Sequence, residues 1–271
     1  MRLDQTLVYR GFLPSRERAK AAILAGEVTV NDIEIRKPSL EIADSDSIAL
    51  REIHGYVGRG YLKLRKALEA FSIDPAGKIC MDVGASTGGF TQLLLERGAA
   101  KVYAIDVGTG QLAASIKSDP RVVSLERTDF RAVTREQIGP CDFACADVSF
   151  ISLKLIFPNL HALLDENGEA ACLLKPQFET GAPVKHGVVK DPKEHVRVIG
   201  EVISAAEQEG FTCRNLTYSP IAGGDGNIEF LLHFTKNGNA EPSNNVKYLT
   251  ININNISIKD LVKSSWEELK S

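Results

Sequence analysis

Between residues 78 and 235 the chain repeats one device: a short apolar run with strand character, then in most cases a stretch with helical spacing, then another run. The runs are KICMDVG, KVYAIDVG, RVVSLE, CDFACADV, EAACLLKP, FTCRNLTYS and NIEFLLHFT. Strands that alternate with helices predict an α/β fold, a mostly parallel sheet with helices on both faces. A helix precedes the sheet, because Leu64, Ala67, Leu68 and Phe71 recur at the i, i+3, i+4, i+7 spacing of a core-facing stripe. The domain so defined is expected to run from 62 to 236.

The rest of the chain has a different texture. Residues 1–54 read as two short helices followed by short strands. Leu3, Leu7 and Val8 mark the first helix, which Gly11 can end; Ser15 can cap a second, with Ala19, Ala22 and Ile23 inward and Gly26 at its close. Val28 and Val30 lead into an Asn31-Asp32 turn, Ile33 and Ile35 return, and Ile48 to Leu50 forms a further strand. The glycine-rich stretch REIHGYVGRGY places a linker at 55–61. Residues 237–271 open on a polar, Asn-rich stretch and are expected to be a poorly ordered appendage, although Leu249 to Ile258 alternates like a strand and the end has helical character.

Composition narrows the classes. Hydrophobic residues at 44% of 271 supply a large core. The first residues carry no apolar signal segment and no run approaches the eighteen residues of a membrane span, so a cytoplasmic protein that does not enter membranes is expected. The five cysteines, Cys80, Cys141, Cys145, Cys172 and Cys213, lie mostly inside the strand-like runs and read as buried thiols. Cys141 and Cys145 have no second Cys or His pair at matching spacing, so no metal is expected. A net charge of -3 confines any nucleic-acid site to a local patch.

The first strand of the large domain runs into Asp82-Val83-Gly84-Ala85-Ser86-Thr87-Gly88-Gly89-Phe90. Glycines at a strand-to-helix turn allow close backbone approach. The spacing is Gly-x-x-x-Gly-Gly rather than the Gly-x-Gly-x-x-Gly of dinucleotide folds, which disfavours a nicotinamide oxidoreductase. It resembles the methionine-end loop of Rossmann-like methyltransferases. Asp106, ending the second strand, stands where such folds bind ribose hydroxyls, and Asp129, after the third, where a carboxylate would meet adenine. Four more residues fall at one sheet edge: Asp147 and Lys175 at the ends of parallel strands, Glu229 at the start of the last strand if that strand is antiparallel, and Lys63 on the preceding helix. Two bases and two acids converging beside a cofactor loop point to a reaction centre.

Arg16 and Lys20 lie one helical turn apart and can project together toward phosphates. The segment from Arg2-Leu3-Asp4 through Ser15-Arg16 to the Gly26–Asn31 hairpin resembles the RNA-binding module named after ribosomal small-subunit protein four. The resemblance implies RNA contacts at Arg2, Arg16 and Lys20, with Arg36 and Lys37 as further candidates.

Lys63, Asp147, Lys175 and Glu229 resemble the Lys-Asp-Lys-Glu tetrad of FtsJ-type ribose 2′-O-methyltransferases. Together DVGASTGGF, ADVSFISL, LLKPQFE and GNIEFLL are similar to the TlyA family of hemolysin-named rRNA methyltransferases, over residues 1 to 236. The resemblance implies a Rossmann-like methyltransferase sheet whose last strand is antiparallel. It implies S-adenosyl-L-methionine as cofactor, bound by the glycine loop, Asp106 and Asp129, and ribosomal RNA or ribosomal subunits as partner, with a cytidine 2′-hydroxyl as acceptor. Lys175 would then be the base or orienter of the ribose hydroxyl. Burial and the Lys63 cation favour a neutral amine there, whereas the two carboxylates favour a charged one. A membrane-active hemolysin and a catalytically idle RNA-binding protein are the alternatives from other classes; the first lacks a spanning segment, and the second would keep the tetrad without use.

Overall fold

A computed structural model describes the 271 residues except 14, 15, 25, 44, 51–54, 182, 183, 185, 186, 225, 237–251, 254, 255, 270 and 271. The chain divides into two compact units, Met1–Tyr56 and Val57–Ser271.

In the small unit α1 (Leu3–Tyr9) packs against α2 (Arg16–Leu24), and β1 (Val28–Val30), β2 (Ile33–Glu34) and β3 (Ile48–Leu50) form an antiparallel sheet in the order β2-β1-β3. α1 stops at Gly11, whose φ of 76° turns the N–H groups of Gly11 and Phe12 back to the carbonyls of Val8 and Leu7. The expected Ser15 cap lies outside the described residues. Asn31 and Asp32 both adopt positive φ, as a two-residue hairpin turn requires. Leu3, Leu7, Ala19, Ile23 and Val28 close the core with no exposed surface.

The large unit begins within the stretch expected to be a linker, since the Val57 N–H donates to Gln92 and α3 (Gly60–Phe71) starts at Gly60. Then follow β4 (Ile79–Val83), α4 (Gly89–Glu96), β5 (Lys101–Ile105), α5 (Ala114–Lys117), β6 (Val122–Leu125), α6 (Arg135–Ile138), β7 (Cys141–Ala146), α7 (Phe157–Leu163), β8 (Leu164–Leu174), α8 (Pro176–Glu179), α9 (Pro192–Gln208), β9 (Phe211–Tyr218) and β10 (Phe230–Lys236). Each of the seven expected runs is a strand of one sheet, ordered β6-β5-β4-β7-β8-β10-β9. β4 to β8 pair in parallel, and β10 is inserted antiparallel between β8 and β9. The chain fills the sheet outward from β4, first to one side and then to the other. The direction of filling reverses at β4, and ligands of open α/β sheets bind beyond the carboxyl ends of the strands at such a point.

The C-terminal stretch departs from expectation. β11 (Asn252–Ile253) and β12 (Ile256–Ser257) form a hairpin, and α10 (Ile258–Leu269) packs on α9 and β9. Ile258, Leu261 and Val262 are buried in the main core, Trp266 Nε1 donates to His195 Nδ1 at 3.1 Å, and Tyr218 donates to Glu268. Residues 258–269 are therefore an ordered layer rather than a loose appendage. The cause is local: β9 is an edge strand, and α10 brings Ile258, Leu261 and Val262 to α9 and β9 beside that edge.

Candidate active site

The glycine loop leaves β4 and enters α4 under tight steric control. A Cβ on Gly84, which has φ of 84°, would stand 2.6 Å from the Asp147 carbonyl oxygen; one on Gly88, at φ of 96°, would stand 2.8 Å from Leu112; one on Gly89 would meet the Tyr61 nitrogen at 2.9 Å. These glycines thus serve backbone conformation and close packing, at Gly84 against β7's exit, at Gly88 against Leu112 and Ile116, and at Gly89 against the start of α3. Asp82, expected to touch the cofactor, has no exposed surface; its Oδ2 accepts from the Thr91 N–H at 2.9 Å and from Thr91 Oγ1 at 2.6 Å. It fixes the first turn of α4 from below. Burial pushes its carboxyl up to about 7, against the Thr91 bonds. Ala85, Gly88, Gly89 and Phe90 are buried as well, whereas Gly84, Ser86 and Thr87 keep accessible surface in the loop.

Asp106 follows β5 and ties the loop down: Oδ2 accepts from the Ser86 N–H at 2.8 Å, Oδ1 from the Gly108 N–H at 2.7 Å. Each oxygen retains a lone pair for a hydroxyl donor, so the half-buried carboxylate fits a ribose. Val107 beside it is 72% exposed, an apolar face that sequence reasoning missed. Asp129 caps the 3-10 turn Phe130–Ala132 and is gripped by the Arg131 guanidinium at 2.6 Å, whose hydrogen bonds hold its carboxyl below the usual range. Its capping role is evident; contact with adenine would have to share the carboxylate with Arg131.

At the same edge of the sheet the four chemistry-bearing residues come together as two ion pairs. Lys63 Nζ lies 2.6 Å from Glu229 Oε2, and Lys175 Nζ 2.6 Å from Asp147 Oδ1. Phe230 on antiparallel β10 pairs with Leu174 on β8, so Glu229 and Lys175 leave the sheet side by side. The Lys63 and Glu229 side chains are 8% and 3% exposed, those of Lys175 and Asp147 11% and 19%. The first pair is the buried back of the site and the second its accessible front. Burial works against charge on Lys63, but the carboxylates of Asp147 and Glu229 outweigh it and hold the amine above its ordinary range. Burial likewise opposes ionisation of Asp147, yet Lys63 and Lys175, with a smaller contribution from Arg59, hold its carboxyl below the usual range. Lys175 Nζ also donates to Ser149 Oγ at 2.8 Å, a partner the sequence did not reveal. The glycine-rich approach to Glu229 has a physical reason too: a Cβ on Gly223 would fall 2.5 Å from Glu229 Oε1. Phe150, between Asp147 and Ser152, is 91% exposed with φ of 64°, its ring 5.1 Å from that of Phe178.

On the small unit Arg16 and Lys20 are exposed. Asp4, with no exposed surface, accepts from Arg2 Nε at 3.0 Å and from Arg16 at 3.0 Å. Burial would raise its carboxyl, but the two guanidiniums hold it below the usual range. A buried carboxylate thus pins both arginines by one side and leaves each partly exposed. Arg36 is bound to Glu34 at 2.7 Å and to the Leu24 carbonyl, so its fork is partly occupied; Lys37 is exposed. Burial pushes the Cys80, Cys141 and Cys172 thiols up to about 12.

The sheet order, the glycine loop at its switch point and the paired lysines and carboxylates define a methyltransferase. Residues 56–236 match the FtsJ-like methyltransferase family, to which the chain belongs, and residues 1–48 match the S4 domain. Among its relatives, the 16S/23S rRNA (cytidine-2′-O)-methyltransferase TlyA of Mycobacterium tuberculosis is 43% identical over 236 residues, 85% of this chain and 88% of the relative. Hemolysin A of Brachyspira hyodysenteriae is 40% identical over 238 residues, 86% of this chain and 99% of the relative. A solved structure from Streptococcus thermophilus, provisionally assigned as a hemolysin, superposes with a TM-score of 0.78 at 40% identity, covering 100% of this chain and 97% of that one.

Proposed function

We propose that the protein transfers a methyl group from S-adenosyl-L-methionine to a cytidine ribose 2′-hydroxyl of ribosomal RNA, acting in the cytoplasm on ribosomal subunits. The observation that carries this reading is the convergence of Lys63, Glu229, Asp147 and Lys175 beside a glycine loop at the switch point of the sheet. Gly84, Ser86 and Thr87 would line the cofactor, with Asp106 toward its ribose and Val107 and Asp129 toward its adenine. When bound, the cofactor supplies an electrophilic methyl group.

The chain's own residues do the rest. A ribose hydroxyl is a weak nucleophile near neutral pH and needs a group that orients it or takes its proton. Lys175 Nζ is ion-paired with the Asp147 carboxylate and donates to Ser149 Oγ, and the reacting hydroxyl would meet the same nitrogen. Lys175 orients that hydroxyl or accepts its proton at Nζ, while the buried Lys63–Glu229 pair supplies a fixed cation and its counter-charge behind it. The exposed ring of Phe150 offers a stacking face for the base of the target nucleotide. Arg2, Arg16 and Lys20, with Lys37 and the partly occupied Arg36, hold the RNA backbone through phosphates. Relatives named as rRNA cytidine-2′-O-methyltransferases support the acceptor; relatives named as hemolysins do not outweigh it, because no described helix is long and apolar enough to cross a membrane.

Calorimetric titration of the full chain with S-adenosyl-L-methionine tests the cofactor assignment. The parent binds, and Asp106→Ala, which removes the ribose acceptor, weakens binding at least about tenfold, the equivalent of one hydrogen bond to a charged group. No binding by the parent, or unchanged binding by the variant, overturns it.

A further inference from the structure

We propose that Glu179 is a positioning residue that locks the Asp147–Ser152 loop to the Lys175–Glu179 turn, so that Asp147, Ser149 and Lys175 meet the reacting hydroxyl in one fixed arrangement. This deepens the reading of Lys175 and Asp147 as the transfer site and rests on it.

Glu179 ends α8, the four-residue helix that Lys175 caps, and is 3% exposed. One of its oxygens accepts from Ser152 Oγ and the other from the Leu153 N–H at 2.8 Å, so a carboxylate from the exit of β8 is inserted into the end of the loop leaving β7. At the other end of that loop the tie runs through Lys175, ion-paired with Asp147 and hydrogen-bonded to Ser149. A six-residue loop is thus fastened twice to one five-residue segment. Phe150 sits between the fastenings in the left-handed region, a conformation an aromatic residue keeps only where its surroundings over-determine it. Burying a carboxylate against two neutral donors is costly, and a loop needing only cover would be served by an apolar side chain. What the carboxylate adds is two acceptors on one group, fixing the direction in which the loop returns. Displacements of about 1 Å in a reacting arrangement lower rates by about 100-fold.

The test measures single-turnover transfer of tritiated methyl groups from S-adenosyl-L-methionine to isolated ribosomal subunits by the full chain, with cofactor affinity and melting recorded for each variant. Glu179→Gln, which keeps an acceptor for the Leu153 N–H, should remain within about threefold of the parent. Glu179→Leu should slow transfer about 10- to 100-fold with cofactor affinity within about twofold. Combined with Ser149→Ala, the loss should be smaller than the product of the single losses, because both changes release the same loop. Parental transfer by Glu179→Leu, or single losses that multiply, would overturn the proposal. Should Glu179→Leu fail to fold, Ser152→Ala removes one donor to the same carboxylate and must show the same non-multiplying loss with Ser149→Ala. Failure of the underlying reading is separable: Lys175→Ala at full rate removes the transfer site itself, whereas a slow Lys175→Ala beside a fast Glu179→Leu removes Glu179 alone.

Discussion

Lys63 and Lys175 stand at the same sheet edge in different surroundings, and the proposed function gives them different work. Lys63 is buried, paired with Glu229 and held charged by two carboxylates; Lys175 lies where a hydroxyl can reach it. Lys175→Ala should therefore lose transfer by about 100- to 10,000-fold, the usual worth of acid–base assistance, while cofactor and RNA affinities stay near parental. Lys175→Arg should rescue little, since a guanidinium cannot give up its proton at working pH. Single-turnover rates on ribosomal subunits check both, and near-parental rates would remove the tetrad mechanism. Asp82 gives a prediction of the opposite kind. Its folded carboxyl titrates at about 7 against about 4 in the unfolded chain, so the folded state holds a proton that unfolding releases throughout that window. The group's contribution to stability thus falls as pH rises from about 4 to about 7. Asp82→Asn keeps an acceptor for Thr91 and should flatten the pH dependence of urea unfolding over that range; an unchanged slope would mean that Asp82 is ionised when folded. The tetrad residues were legible because strand ends of a parallel sheet share an edge. Asp82, Asp4 and Glu179 were misread or missed because a carboxylate that serves the fold and one that serves a ligand look alike until burial is known.

At the scale of elements, the seven strands could be read from apolar runs alone, and the inner face of α3 from its spacing. The short helices α5, α6 and α8 carry too few residues for a periodic signal. α10 was undervalued for another reason. Its apolar residues Ile258, Leu261 and Val262 follow an Asn-rich stretch, and the need for them arises only once β9 is known to be an edge strand. Truncation after Lys236 should consequently destabilise the protein rather than leave it untouched. Each of those three side chains is worth about 1.5–3 kcal/mol when fully buried, and about 1 kcal/mol shifts the melting temperature of a unit this size by about 2–4 °C. The expected result is a melting temperature lower by ten degrees or more, with methyl transfer retained at low temperature. Unchanged melting would contradict the packing of α10.

The whole molecule joins a 56-residue unit matching the S4 domain to a 215-residue FtsJ-like unit. With a net charge of -3 the chain is not broadly attracted to nucleic acid. On the proposed function the small unit would hold RNA through a local patch, with Arg2 and Arg16 pinned by Asp4, and the large unit would carry the chemistry. The order of the two units was legible from motifs; the local reasons for the glycine loops were not, because they depend on neighbours from distant parts of the chain. The measurement that tests the account most directly is nucleoside analysis of ribosomal RNA labelled by the full chain with tritiated S-adenosyl-L-methionine. Label recovered in 2′-O-methylcytidine, and absent after reaction with Lys175→Ala, is the predicted result. Label in a base-methylated nucleoside, or none in RNA while the cofactor binds, would contradict it.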